Sequence, residues 1–294
     1  LSALVGGAGF WALTRPATVD AATAAALDRM AADAGRGAMV FHAAGCASCH
    51  TAPGADVQGP APDDPVLSGG QRFASDFGTF LAPNISSDPR HGIGAWSRVA
   101  LANALIHGTG PDGRHYYPVF PYGAYRNMAL SDIADLHAFM ATLPADATPS
   151  LPHEVGLPFS IRRGLGLWKR MFLAEGWAVA GALSEAETRG RYLVEALGHC
   201  AECHTPRNAI GVLDRGRWLA GGPNPAGRGT IPNITPAALD WSAFEITAYL
   251  ETGFTPDFDV AGGHMALVVR NFARLPPEDR AAVAAYLARV PPHP

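Results

Sequence analysis

The sequence is poor in cysteine and in charged residues. Only four of its 294 residues are cysteines, and 16% are Asp, Glu, Lys or Arg. Acidic residues outnumber basic ones by 26 to 22, giving a net charge of −4, so the chain has no electrostatic reason to bind nucleic acid. All four cysteines belong to two short strings, which leaves none for a structural disulfide elsewhere. A hydrophobic content of 48% over this length supports two domains with their own cores.

Each cysteine pair belongs to the same five-residue pattern, Cys-x-x-Cys-His. The strings are CASCH at residues 46–50 and CAECH at residues 200–204. Two thiols three positions apart can add across the two vinyl groups of one porphyrin, and the adjoining histidine then lies under the iron as an axial ligand. The sequence therefore predicts two covalently bound haem c groups. The predicted attachment residues are Cys46, Cys49, Cys200 and Cys203, and the predicted iron ligands are His50 and His204.

Other uses of paired cysteines fit this pattern less well. The two pairs of a four-thiolate zinc site normally lie about 15–20 residues apart, whereas these pairs begin at positions 46 and 200. A thioredoxin-like motif or a local disulfide does not require the histidine that follows both pairs. Covalent haem attachment in bacteria takes place outside the cytoplasmic membrane, which predicts a periplasmic location.

The chain contains an internal repeat. Arg-Gly at positions 36–37 and 189–190, Pro-Asn-Ile at 83–85 and 232–234, and Trp-Ser at 96–97 and 241–242 recur in the same order around the two strings. Each copy thus carries one string, which favours an electron relay. The predicted organisation is an N-terminal segment over residues 1–35, a first copy over 36–145, a linker over 146–183 and a second copy over 184–294.

The fold predicted for each copy is mostly helical, with long loops around the porphyrin and no run of strands. Ser184 and Glu187 form a capping-box pattern at the start of the helix that leads into the second string. A closing helix is predicted from near Ser131 in the first copy and from Pro276 in the second, where proline is tolerated at the first helical position.

The second axial ligand of each iron decides between electron transfer and small-molecule chemistry. After His204 the second copy has one methionine, Met265, in a predicted loop before the closing helix. Met128 holds the corresponding position in the first copy. A thioether ligand raises the haem potential. The remaining candidates are His264 and His293 in the second copy, and Met140, His107 and His115 in the first. Met140 fits the core face of the closing helix. His107 and His115 lie in a polar loop, which predicts that they face solvent or lie near the haem edge.

Two further segments have more than one interpretation. Residues Leu1–Leu13 carry no charge and are followed by Arg15, which predicts part of a membrane anchor, although thirteen residues are fewer than the roughly 20 that a span requires. A removed signal peptide or an ordinary packed segment are the alternatives. Residues 161–173 mix four basic with several apolar residues, as in a linker helix packed between domains or a surface that meets a partner or anionic headgroups.

Five motifs spread over both copies carry a family resemblance: FLAPNI at 80–85, GIGAWS at 92–97, YPVFPY at 117–122, IPNIT at 231–235 and GGHM at 262–265. Through them nearly the whole chain resembles the dihaem and trihaem cytochrome c subunits of bacterial membrane-bound alcohol, sugar-acid and aldehyde dehydrogenases. The resemblance implies class I cytochrome c folds, ligation by the string histidine and a loop methionine, and a membrane-tethered periplasmic subunit. Such a subunit takes electrons from a catalytic dehydrogenase subunit and passes them to quinone or a terminal oxidase. The third string of the trihaem members is missing here.

The leading hypothesis is thus an electron-transfer subunit that is not itself an enzyme. A dihaem peroxidase needs an open or displaceable ligand position, against which two matching methionines argue. A thiosulfate-oxidising dihaem enzyme with a cysteine ligand needs a fifth cysteine, which the sequence lacks. A free soluble dihaem shuttle differs from the subunit only by the anchor-like N-terminus.

Overall fold

A computed structural model of the protein describes residues 9–55, 61–224, 227 and 229–294. This part of the chain is mostly helical with long loops, as predicted. Residues 9–13 are helical, and the α-helices that follow are Ala21–Arg29, Ala34–Ala43, Cys46–His50, Arg98–His107, Tyr122–Tyr125, Leu130–Met140, Gly164–Phe172, Glu185–Arg191, Ala201–His204, Ala243–Thr252, Gly263–Phe272 and Pro277–Leu287. Tyr192–Leu197 is a π-helix and Arg215–Arg217 a 3₁₀ turn. Two antiparallel hairpins pair Arg72–Ser75 with Gly78–Leu81 and Gly222–Pro223 with Thr230–Ile231.

The helix that leads into each string packs against the helix that closes the same copy. Ala34–Ala43 contacts Leu130–Met140, and Glu185–Arg191 contacts Pro277–Leu287. The apolar side chains predicted to face inward from the closing helices are all buried: Ile133, Leu136, Phe139 and Met140 in the first copy, and Val283, Tyr286, Leu287 and Val290 in the second. Each such side chain contributes about 1.5–3 kcal/mol of transfer free energy, so these helix pairs contribute substantially to the stability of the protein.

The repeated Arg-Gly pair explains this helix crossing. A Cβ atom on Gly37 would lie 2.0 Å from the carbonyl oxygen of Asp135, and one on Gly190 would lie 1.9 Å from that of Ala282. Only glycine allows the two backbones to approach so closely. The same Asp135 then takes part in the contact made by the arginine of the pair.

The arginine of each pair clamps the closing helix by a bidentate ion pair. Arg36 Nε and Nη2 donate to the carboxylate of Asp135 at 2.7 and 3.0 Å, and Arg189 does the same to Asp279 at 2.7 Å from both nitrogens. Burial raises the pKa of Asp135, but the hydrogen bonds from Arg36 and the Asp33 N–H, together with the charges of Arg36 and Arg98, outweigh it and hold the pKa below its ordinary value. The Arg-Gly pair therefore recurs in the sequence because both copies make the same contact between the helix that leads into the string and the closing helix.

The N-terminal segment packs against the rest of the protein from about residue 14, since Thr14 is fully buried. The Ala21–Arg29 helix buries Leu27 completely, and the Arg98 guanidinium donates to the Leu27 carbonyl. The Val19 N–H donates to Asn103 Oδ1 at 2.8 Å. Of the predicted anchor, residues 1–8 lie outside the described part. No helix in residues 9–55, 61–224 or 229–294 has the length and apolar character that a membrane crossing requires.

The basic segment forms the Gly164–Phe172 helix and contacts both copies. Lys169 Nζ donates to the carbonyls of residues 107 and 108 in the first copy, and Trp168 Nε1 donates to the Ile210 carbonyl in the second. Arg163 lies over the ring of Trp11 at 3.7 Å from the centroid. The segment is thus a linker helix packed between the copies, although Leu167 and Met171 stay exposed.

Candidate functional site

The two strings have the same local structure. Each forms a short helical turn directly after a residue in the left-handed region, Gly45 with φ 62° and His199 with φ 38°. Cysteines three apart on a helical turn project from one face, so both thiols of a string can meet one porphyrin edge. All four thiols are free.

The string histidines are oriented for an axial ligand. The Nδ1 of His50 lies 2.8 Å from the Pro83 carbonyl oxygen, and the Nδ1 of His204 lies 2.9 Å from that of Pro232. A hydrogen bond from Nδ1–H fixes the tautomer and leaves Nε2 as the metal-binding atom. Burial lowers the pKa of both histidines, although the Pro83 and Pro232 hydrogen bonds act the other way. Each site therefore fits the chemistry of haem c attachment.

The repeated Pro-Asn-Ile motif holds this arrangement, a role that its recurrence alone did not specify. The Asn84 amide donates to the carbonyls of residues 146 and 148, directly after the end of the first copy. The Asn233 amide donates to the His293 carbonyl, at the end of the second. In both copies the asparagine thus fastens the loop whose proline carbonyl orients the string histidine. The recurrence of an asparagine directly after the proline in both copies is the sequence signal for this shared role.

The two predicted methionine ligands lie in different local structures. Met128 is buried in a turn between the Tyr122–Tyr125 and Leu130–Met140 helices. Met265 was predicted to lie in a loop, which is wrong: it belongs to the first turn of the Gly263–Phe272 helix, and its side chain packs at the core edge. Whether either sulfur ligates iron stays a prediction.

The competing histidines have other contacts. His115 is buried rather than solvent-facing, because its Nε2 lies 2.9 Å from the Thr14 carbonyl oxygen. His264 stacks against Phe73, with ring centroids 6.3 Å apart. Burial lowers the pKa of His107, with a smaller contribution from neighbouring cations. His115 and His264 thus have contacts within the protein, although the Nδ1 of the buried His115 has no hydrogen-bond partner among the described residues.

The two strings meet across the boundary between the copies. The Tyr125 hydroxyl donates to the Ala44 carbonyl at 3.0 Å, and its ring meets that of His199 edge-on at 5.6 Å. Asn271, from the second copy, donates to the hydroxyl of Ser48 inside the first string at 2.9 Å. Burial, together with the nearby Cys203 thiol, raises the pKa of Cys49 to about 11. Groups attached at the two strings would therefore be neighbours.

Comparison with known proteins agrees with this geometry. The sequence pattern of the cytochrome c family matches residues 34–144. A dihaem c-type cytochrome of Cereibacter sphaeroides is 57% identical over 98% of this chain and 95% of its own length. This chain belongs to the c-type cytochrome family. The resemblance seen in the sequence is confirmed, and the cytochrome carries haem c bound covalently.

Further relatives of the cytochrome are named as cytochrome subunits of dehydrogenases. The fructose dehydrogenase cytochrome subunit of Gluconobacter japonicus is 37% identical over 87% of this chain and 52% of its own length. A quinone-dependent alcohol dehydrogenase cytochrome c subunit of Gluconacetobacter polyoxogenes is 31% identical over 88% of this chain and 56% of its own length. The cytochrome thus spans about half the length of these subunits. Their names describe cytochrome subunits of dehydrogenases, in line with the prediction of an electron-transfer protein rather than a catalytic subunit.

Proposed function

We propose that the chain is a dihaem relay that carries electrons from a periplasmic dehydrogenase to quinone or to a terminal oxidase chain. Each haem c belongs to its own class I cytochrome c domain, one over residues 36–145 and one over 184–294. The linker over residues 146–183 joins them. The two copies share the Arg-Gly clamp, the Pro–His hydrogen bond and the asparagine that ties the loop to the chain end, which supports one haem for each copy.

In each domain the protein supplies attachment, orientation and shielding. Haem c, when bound, supplies a one-electron couple between ferric and ferrous iron. Cys46 and Cys49 fix the first group and Cys200 and Cys203 the second. His50 and His204 would bind the iron through Nε2, because Nδ1 of each ring is hydrogen-bonded to a proline carbonyl. Met128 and Met265 would hold the iron through their thioethers, which would favour the reduced state and leave no position for a substrate.

The observation that carries the relay is the meeting of the two strings. Tyr125 reaches from the first copy to His199, the residue before the second string, and bonds the backbone two residues before the first. Asn271 binds Ser48 within the first string. This contact supports two adjacent cofactors in one chain, which a relay from a buried donor to a distant acceptor requires.

The partner we propose is a catalytic dehydrogenase subunit. The relatives are named for fructose, alcohol, gluconate and nicotinate dehydrogenases. We also propose that the apolar segment Leu1–Leu13 tethers the cytochrome to the membrane, since Trp11 and Arg15 at its end suit headgroup depth. Tethering raises the effective concentration of donor and acceptor for each other.

The test is oxygen uptake by membranes of a strain that lacks this cytochrome. Fructose, ethanol, gluconate and nicotinate are supplied in turn as electron donors. We expect that uptake with one of them falls to the background level, while its dye-linked dehydrogenase activity is unchanged, because the catalytic subunit is intact. Wild-type cytochrome should restore uptake and the Cys200→Ser/Cys203→Ser variant should not.

A second arm separates the subunit from a soluble shuttle. A variant without residues 1–20, exported by a cleavable signal, should keep its haem spectra, appear in the soluble periplasmic fraction and restore uptake only partly. Full restoration by this variant, with no dehydrogenase co-purifying with the complete chain, would replace the subunit by a free shuttle.

A further inference from the structure

One turn of the second copy exposes apolar side chains to solvent. It follows the Ala243–Thr252 helix, and we call residues 254–260 the turn surface. Phe254, Phe258 and Val260 are 56%, 88% and 60% exposed. Three exposed apolar side chains within seven residues form an exposed hydrophobic patch. The inward-facing apolar side chains of the closing helices, in contrast, are buried.

The first copy contains the same turn. An isolated bridge joins Phe254 to Val260, and another joins Thr109 to His115 at the equivalent positions. The residue after each bridge donates its backbone N–H to the carbonyl of the glycine that ends the preceding helix. These hydrogen bonds join Ala261 to Gly253 at 2.8 Å and Tyr116 to Gly108 at 2.7 Å. The two turns can therefore be compared residue by residue.

In the first copy the protein covers this turn with its own basic segment. Thr109 and His115, the counterparts of Phe254 and Val260, are only 1% and 3% exposed. Lys169 Nζ donates to the carbonyls of residues 107 and 108, both at 2.7 Å, and the Arg162 guanidinium donates to the His115 carbonyl at 3.2 Å. One copy thus shows what kind of segment packs on this turn.

The tip of the second turn is strained. Phe258 has φ 63°, and its counterpart in the first copy is Gly113 with φ 73°. A bulky residue is an outlier in the left-handed region, which glycine adopts freely. The Phe258 ring packs on nothing that compensates, since it is almost wholly exposed. A strained aromatic at the tip of an exposed turn indicates a binding role.

The stretch of sequence around the turn surface is acidic, although Glu251 in it is paired with Arg280 at 3.2 Å. Residues 240–269 contain five acidic residues and no Lys or Arg; the acids are Asp240, Glu245, Glu251, Asp257 and Asp259. Asp257 and Asp259 flank Phe258 and are exposed. Residues 161–173 contain four basic residues and no acidic one. The uncovered turn is thus complementary in charge to the kind of segment that covers its counterpart.

We propose that the turn surface is the docking site for a basic, apolar helical segment of the catalytic partner, with the chemistry of residues 161–173 of this chain. This proposal assumes the dehydrogenase partner of the proposed function and identifies where that partner binds. Met265 lies a few residues after Val260, so a partner seated there would be next to the second copy's predicted ligand. Electrons would then pass between the partner and the second haem.

The experiment uses the complete haem-loaded cytochrome and a fluorescent peptide of residues 161–173. Binding is followed by quenching of the fluorophore by haem. We expect saturable binding that weakens as salt is raised. The Asp257→Lys/Asp259→Lys variant should bind at least about tenfold more weakly. Phe258→Gly should also weaken binding, and because it relieves the left-handed strain its effect cannot be due to misfolding.

The matched control is Asp28→Lys/Asp64→Lys, which changes the net charge equally at exposed positions outside the turn and should bind within about twofold of wild type. Hydrogen exchange should show protection of residues 253–262 by the peptide. Protection of residues 107–117 instead, equal affinity of all variants, or self-association that Asp257→Lys/Asp259→Lys abolishes would overturn the proposal. Since the assay involves no electron transfer, its outcome is independent of the oxygen-uptake test.

Discussion

Replacing Met265 by leucine is expected to lower the potential of one haem by a few tenths of a volt, out of the span of about 0.8 V that axial ligands control. Leucine nearly conserves the volume of methionine, so packing changes little. What is lost is the thioether, which stabilises ferrous over ferric iron. The same result is expected for Met128→Leu at the other haem. Redox titration followed by absorption, together with the ferric charge-transfer band near the red end of the spectrum, measures both effects.

The control for these variants is Met140→Leu. Met140 is as buried as Met128 but faces the core from the Leu130–Met140 helix, so its replacement should leave both potentials and the ferric band unchanged. A Met265→Leu protein with wild-type potentials would mean that another group ligates the second iron, with His264 as the nearest alternative in sequence.

Replacing Gly37 or Gly190 by alanine is expected to destabilise the protein by about 3 kcal/mol or to prevent haem-loaded protein from accumulating. The new methyl group would lie 2.0 or 1.9 Å from a backbone carbonyl oxygen of the closing helix. Neither backbone can move without separating the helix pair that forms the core of that copy. Guanidinium unfolding, followed by the haem absorption and by circular dichroism, measures the change.

Gly164→Ala provides the comparison, since nothing lies within 4 Å of a Cβ at that helical position. It should alter the free energy of unfolding by no more than about 1 kcal/mol, in the stabilising direction. If Gly37→Ala and Gly164→Ala proved equally stable, the close helix approach would not hold the fold together.

Much of this fold follows from local sequence signals. The Ser184–Glu187 capping box forms with both of its hydrogen bonds, and Pro277 begins the last helix as its φ preference predicts. Both signals depend on residues a few positions apart, so a single sequence is sufficient to identify them. The strings predict haem chemistry for the same reason, because attachment needs two thiols and a histidine at fixed spacing.

Other features depend on contacts between distant residues. The Arg98–His107 and Ala243–Thr252 helices lie in stretches predicted to be loops. Ser242 and Glu245 form a capping box, which is a local sequence signal for the start of the second helix. The roles of Pro83 and Pro232 come from their backbone carbonyls, which carry no side-chain signature. The meeting of the strings through Tyr125, His199 and Asn271 depends on how the copies pack.

The measurement that tests the account most directly is the intact mass of the denatured protein, with a pyridine haemochrome assay on the same sample. Two complete strings in two equivalent settings predict the mass of the polypeptide plus two haem groups and two haems per chain, with none extracted by acidified solvent. A mass corresponding to a single haem, or haem that leaves the protein in acidified solvent, would contradict the dihaem relay.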